Sequence, residues 1–264
     1  MAVSTPLTPP RRPWAWALAG AVLGLVCALL LFAPARWLTA PIERAANGRL
    51  LLAEPRGTVW TGSAEVILAG GEGSNDAAAL PTRLQWRIRP GWNGLVAQLS
   101  SACCTEAPMQ LRIQPSWTGA RITVAQARSR WPAGLLVGLG TPWNTLQFDG
   151  DLLLSTEGLS VEWIEGRLSI AGRAELTAQR LSSRLSTLRP MGSYLITFLG
   201  GATPALQLQT LEGSLQLTGN GQWVGSRLHF TGEASAAPDR EAALSNLLNI
   251  IGRRNGARSI ITIG

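Results

Sequence analysis

Lysine is absent from this chain of 264 residues: all 23 basic side chains are arginine. That absence removes a phosphate-loop lysine, a Schiff-base lysine and a Ser-x-x-Lys nucleophile pair. Histidine occurs once, as His229, and tyrosine occurs once. Without a second histidine there is no basis for a His-based zinc site, and any catalytic triad would rest on His229 alone. In "GSRLHFTG" Leu228 and Phe230 share one strand face, so His229 turns to the solvent side. No G-x-S-x-G surrounds any serine, and Gly219, Gly221 and Gly225 do not fit G-x-G-x-x-G. Asp149 and Asp151 flank a glycine and read as turn residues, not as a shared-proton pair or a Ca²⁺ site. The pattern calls for no cofactor, and the chain does not read as an enzyme.

Basic tracts are lacking as well. The formal charge is +7, but Arg83, Arg87 and Arg89 stand far from Arg180, Arg184 and Arg189, with acids between. A solvated arginine face fits this scatter better than nucleic-acid binding. Cysteine is scarce, with three residues. Cys27 falls in an apolar run, where it behaves as a small hydrophobe. Cys103 and Cys104 are adjacent in "SSACCTEAP", where a vicinal disulfide and two separate thiols both remain open. Neither a neighbouring arginine nor a helix start is there to favour a reactive thiolate.

What the chain does have begins with "WAWALAGAVLGLVCALLLFA", residues 14–33, uncharged and about the length that crosses a hydrocarbon core. Trp14, Trp16 and Trp37 mark its two ends, as interfacial rings do. Ala33-Pro34-Ala35 has the A-x-A form of a cleavage site, but the run is long for a signal peptide, so a retained single-pass anchor is expected. Residues 1–13, rich in proline and threonine, read as a disordered cytoplasmic tail. Arginines on both sides leave orientation undecided by charge. The short tail and long following domain fit N-in, C-out.

After the anchor, "ARWLTAPIERAANG" reads as a short amphipathic helix stopped at Asn47-Gly48. From residue 49 the dominant period is two. "RLQWRIR" sets Leu84, Trp86 and Ile88 against four polar residues, and "MQLRIQ" does the same with Met109, Leu111 and Ile113. Further strands fit 121–126, 146–154, 159–163, 167–177, 206–211, 214–218, 222–232 and 259–263, with turns at Asp149-Gly150 and Gly219-Asn220-Gly221. Short helices fit 131–140, 181–190 and 239–251, the last capped by Asp239. The fold class is mainly β: one largely antiparallel, curved sheet over residues 34–264 behind a single N-terminal helix.

"GTVWTGSAEVIL", residues 57–68, could be a phosphate-cradling turn, a nucleophile elbow or a strand. No helix start follows it, and Ser63 lacks a glycine two residues on. A strand remains, with Trp60 on the face of Gly62, Ala64, Val66 and Leu68 and expected to be buried there.

The order of segments resembles a known family. "GRLLLAEPRGTVWTGSAEVIL" and "LPTRLQWRIRP" are followed by "GLLVGLGTPWNTLQFDGDLLL" and then "LLNIIGRRNGARSIITIG". Together with the anchor these resemble type II secretion system protein N. The most specific pieces are Gly57-Thr58-Val59-Trp60-Thr61-Gly62 and Gly140-Thr141-Pro142-Trp143-Asn144. The paired Cys103-Cys104 also matches some members. The resemblance implies a bitopic inner-membrane protein of Gram-negative bacteria, with its bulk in the periplasm. It implies an accessory role in exporting folded proteins, with other inner-membrane or periplasmic secretion components as partners. It carries no catalytic motif. A looser similarity to AsmA-like β-grooves keeps a lipid-binding or lipid-conducting module as the alternative.

Overall fold

A computed structural model describes residues 14–71, 74–164, 167–225 and 227–264. The expected tail, 1–13, lies outside the described residues. Helix α1 (Trp14–Leu31) is followed by a 3-10 turn at Ala35–Leu38 and helix α2 (Thr39–Ala45). The first strands are β1 (Leu50–Gly57), β2 (Thr61–Ala69), the short β3 (Ala77–Ala79), β4 (Leu84–Gly91) and β5 (Gly94–Ser100). Then come β6 (Met109–Ser116), β7 (Gly119–Val124) and β8 (Ala127–Pro132), a 3-10 stretch at Ala133–Leu139, and α3 (Trp143–Leu146). The long strands β9 (Phe148–Ile164) and β10 (Arg167–Ser183) lead to β11 (Gly192–Leu199), β12 (Ala205–Gly213), β13 (Leu215–Val224) and β14 (Arg227–Ala236). Helix α4 (Glu241–Ile251), β15 (Arg253–Asn255) and β16 (Arg258–Ile263) close the chain.

The strands form one antiparallel sheet in the order β1-β2-β4-β5-β6-β7-β9-β10-β11-β12-β13-β14-β16-β15, with β3 doubled onto β2 and β8 onto β9. This is a meander: strands such as β4 and β6 alternate apolar and polar residues, so one face seeks a cover and the other meets water. Because neighbours run antiparallel, the tight hairpins β1–β2, β4–β5, β6–β7, β9–β10, β11–β12 and β13–β14 all turn at one edge of the sheet. The other reversals, among them the single-residue link Ser214 between β12 and β13, fall at the opposite edge.

Cover is supplied mainly at that connection edge. Leu244, Leu247 and Leu248 of α4 pack on Leu181, Tyr194, Leu215 and Ala234. Each such side chain, once buried, contributes about 1.5–3 kcal/mol. The 3-10 residue Leu135 meets Leu80 and Cys104. Nearer the N-terminus, Ala35, Leu38 and Ile42 cover Leu52, Ala64 and Trp86.

Several sequence expectations change. Among the described residues no helix is long and apolar enough to cross a membrane. Helix α1 has 18 residues, about 27 Å at 1.5 Å per residue, against a hydrocarbon core of about 30 Å. The apolar run 14–33 is cut short because its last part joins the sheet. Ala33 is buried, its carbonyl accepts the Val59 N–H at 2.8 Å, and Pro34 bridges Thr58. The transmembrane span expected from the sequence is therefore not supported.

The helix expected over 181–190 is replaced by the end of β10 and a looped segment. There Ser183 Oγ accepts the Leu185 N–H and Ser186 Oγ accepts the Leu188 N–H, local bonds that compete with a helix. The expected turn at Gly219-Asn220-Gly221 is the middle of β13. The Phe230 ring of β14 lies over it, and a Cβ at Gly221 would meet Phe230 Cδ2 at 3.0 Å. The glycines make room for an aromatic ring, not for a turn. Asp149-Gly150 likewise sits inside β9, where Gly150 (φ +138°) faces the bulge at Arg180 (φ +49°). Asp239 does not cap α4: Arg240 holds the N-cap position, without a side-chain hydrogen bond.

Candidate functional site

The stretch 57–62 is the hinge between α1 and the sheet. Gly57 (φ +86°) ends β1, and the chain turns through residues 58–60 into β2. Trp60 sits in this turn and is half-buried, not enclosed on the face of Ala64 and Val66 as the alternation implies. Its indole N–H donates to the Leu30 carbonyl at 2.6 Å, one of the free carbonyls at the C-terminal end of α1. The buried tryptophan is Trp86, which stands opposite Gly62 in the β2–β4 register. Its N–H lies 3.2 Å from the Thr58 carbonyl and 3.1 Å from the Val59 carbonyl. A Cβ at Gly62 would lie 2.6 Å from Trp86 Cζ2, so the glycine is the floor on which the ring rests.

The stretch 140–144 is a second clamp. Gly140 (φ +78°) is buried against Gly70, and the Asn144 side chain donates to Asp76 Oδ2 at 2.8 Å. Pro142 is exposed at the start of α3, and Trp143 tilts onto Phe148 with ring centroids 6.0 Å apart. This motif holds the β2–β3 loop against the middle of the sheet. Neither the Trp86–Gly62 pair nor the Asn144–Asp76 bond was legible in the sequence, because both depend on strand register across long separations.

Cys103 and Cys104 are bonded to each other. Cys104 is buried with Leu80 and Leu135, while its carbonyl accepts the Arg130 N–H at 2.8 Å. The pair thus ties the β5–β6 connection to β8.

Part of the apolar face has no cover. In direct register, Leu95, Ile113, Ile122, Val161 and Ile170 cross β5, β6, β7, β9 and β10. All five are half-buried, and none belongs to a helix-covered cluster. A second row, Phe198, Leu206, Gly221, Phe230 and Ile263, crosses β11 to β16; Gly221 and Phe230 in its middle are buried, and Trp223 stands edge-on to Phe198 at 5.5 Å.

A family model for the type II secretion system (T2SS), protein N, matches residues 48–261. The chain belongs to that family. The match begins just before β1 and takes in nearly the whole sheet, leaving α1 and α2 outside it. Comparison with curated proteins and with solved structures gave no match.

In this member of the family the residues singled out for chemistry are not brought together. His229 is exposed on the strand face opposite Phe230, paired in register with Gln222. Asp151 makes an ion pair with Arg180 at 3.2 Å. Asp149 instead lines a cavity of about 350 Å³ with Arg184 and Arg189. Among the described residues no group of three or more His, Cys, Asp or Glu could hold a metal ion. Among the described residues the one strongly perturbed titratable group is Tyr194. Burial pushes its phenol well above the ordinary value, and its Oη has no hydrogen-bond partner.

Proposed function

We propose that this member of the T2SS protein N family is a non-enzymatic accessory component of the secretion machine, working through contacts with other secretion components. It is held at the bacterial inner membrane through the exposed apolar side chains of α1, with the β-rich domain, residues 34–264, on the periplasmic side. The family match over residues 48–261 carries this reading. Two further features support it. The side chains of α1 are apolar and exposed, a surface that soluble proteins do not leave uncovered. The outer strands β1 and β15 offer edges to which a partner strand can add. Affinity purification of the full chain from membranes in mild detergent should recover other secretion components, and deletion should lower export of folded substrates. Recovery of none, with export unchanged, refutes the reading.

A second reading rests on the uncovered row Leu95–Ile170: the sheet face holds or passes lipid acyl chains. Native mass spectrometry of the purified chain should then show bound phospholipid. A lipid-free protein refutes it.

A further inference from the structure

We propose that the hairpin-tip edge of the sheet is a membrane-docking rim, seated in the interfacial layer of the same phospholipid bilayer that holds α1. The proposal rests on the membrane reading of α1 and adds to it the position of the sheet.

Three observations converge on this edge. The first is where α1 joins the domain. Its C-terminal end is bound to the β1–β2 tip through Trp60 and Leu30, Val59 and Ala33, and the Pro34–Thr58 bridge. A bilayer around α1 therefore begins beside that tip, and the other hairpin tips follow it along the same edge.

The second is what the tips carry. Trp92 at the β4–β5 turn and Trp117 at the β6–β7 turn are fully exposed. Trp163, 58% exposed, is at the end of β9, and Leu199 and Val224 end β11 and β13. Ile263, at the end of β16, falls at the same edge and is exposed. Among the described residues, outside α1 with Phe32 and outside this edge, the exposed large hydrophobics are Trp37, Trp143, Leu211 and Ile250. Water-facing tryptophan at successive tight turns forfeits the transfer free energy its ring would gain on burial. An indole at the bilayer interface regains much of it while its N–H stays among polar groups.

The third is charge. Arg89 stands two residues from a tip, and Arg167 and Arg227 begin the returning strands β10 and β14. All three are exposed, whereas Arg121, also near a tip, is held by its ion pair with Glu162. Long arginine side chains beside apolar tips reach lipid phosphates while their stems stay in the apolar layer. In this seating the uncovered row Leu95–Ile170 opens close to the bilayer surface.

The test uses the full chain reconstituted in vesicles of phosphatidylethanolamine and phosphatidylglycerol, with one bimane probe per protein and nitroxide quenchers at headgroup or acyl-chain depth. Cys27 is free and exposed in α1, so the native chain takes the probe there. In a Cys27→Ser background the probe is placed at Trp92→Cys, at Trp117→Cys and, as a control on the connection edge, at Thr187→Cys. The rim is supported if both rim probes are quenched from the headgroup depth while the Thr187→Cys probe stays unquenched. Rim probes no more quenched than the control overturn it, whatever Cys27 reports. If Cys27 is unquenched while the rim probes are quenched, the anchor reading of α1 fails and the rim stands.

Discussion

Replacing Trp86 with alanine tests whether the indole over Gly62 is the keystone of the N-terminal part of the sheet. The ring is 6% exposed, packed with Ala35, Leu52 and Ala64, and it satisfies the carbonyls of Thr58 and Val59 at the α1 hinge. Removing a buried tryptophan costs about 3–5 kcal/mol, through lost transfer free energy and the cavity left behind. The floor of that cavity is glycine backbone, with no side chain that could move in to fill it. For a domain of this size each kcal/mol lowers Tm by about 2–4 °C, which gives a fall of about 6–20 °C. The comparison is Trp92→Ala, where a fully exposed ring is removed and the change should stay within about 0.5 kcal/mol. Thermal unfolding of the detergent-solubilised full chain, followed by circular dichroism, measures both. Equal Tm values for the two variants would falsify the assignment of Trp86 as the buried anchor.

Other variants probe neighbouring features. Gly62→Val should destabilise by about 1–3 kcal/mol, the usual cost of overpacking, because its Cβ meets Trp86 and the Arg56 carbonyl at 2.6 Å; an unchanged urea midpoint would contradict the register. Cys104→Ser should cost about 1–3 kcal/mol by burying an unpaired hydroxyl, and Cys103→Ser, at the exposed partner, clearly less; the reverse order in chemical denaturation refutes the burial argument. Tyr194→Phe should leave stability at neutral pH unchanged or slightly raised, since the phenol Oη has no partner to lose. The raised phenol also predicts alkaline sensitivity. Above about pH 10 the unfolded chain releases a proton that the folded chain retains, so stability falls as pH rises, and Tyr194→Phe removes that component. Spectrophotometric titration showing an ordinary tyrosine pKa in the folded chain would refute it.

Alternation in "RLQWRIR" and "MQLRIQ" identified β4 and β6, and the helix expected over 239–251 is α4. Those patterns are local: side-chain period and backbone period coincide, so a strand or helix face can be read in place. Where a glycine was taken for punctuation, the reading failed. Gly150, Gly219 and Gly221 sit inside strands because a bulge or the Phe230 ring occupies the space a side chain would fill. Trp60 was misplaced for a related reason, since its neighbours alternate like a strand while the residue itself turns and bonds to α1.

The sequence by itself determined that this is a mainly β chain led by an apolar helix, and in its motif order it carried the family. These are properties of composition and short-range pattern. The tertiary structure alone decided that Gly62 lies under Trp86, that Asn144 holds Asp76, and which row of the apolar face stays bare. It also brought the scattered tips bearing Trp92, Trp117 and Trp163 to one edge beside α1. Each of these depends on pairing register accumulated across the meander, and a shift of one residue in any ladder would turn the same side chains to the opposite face.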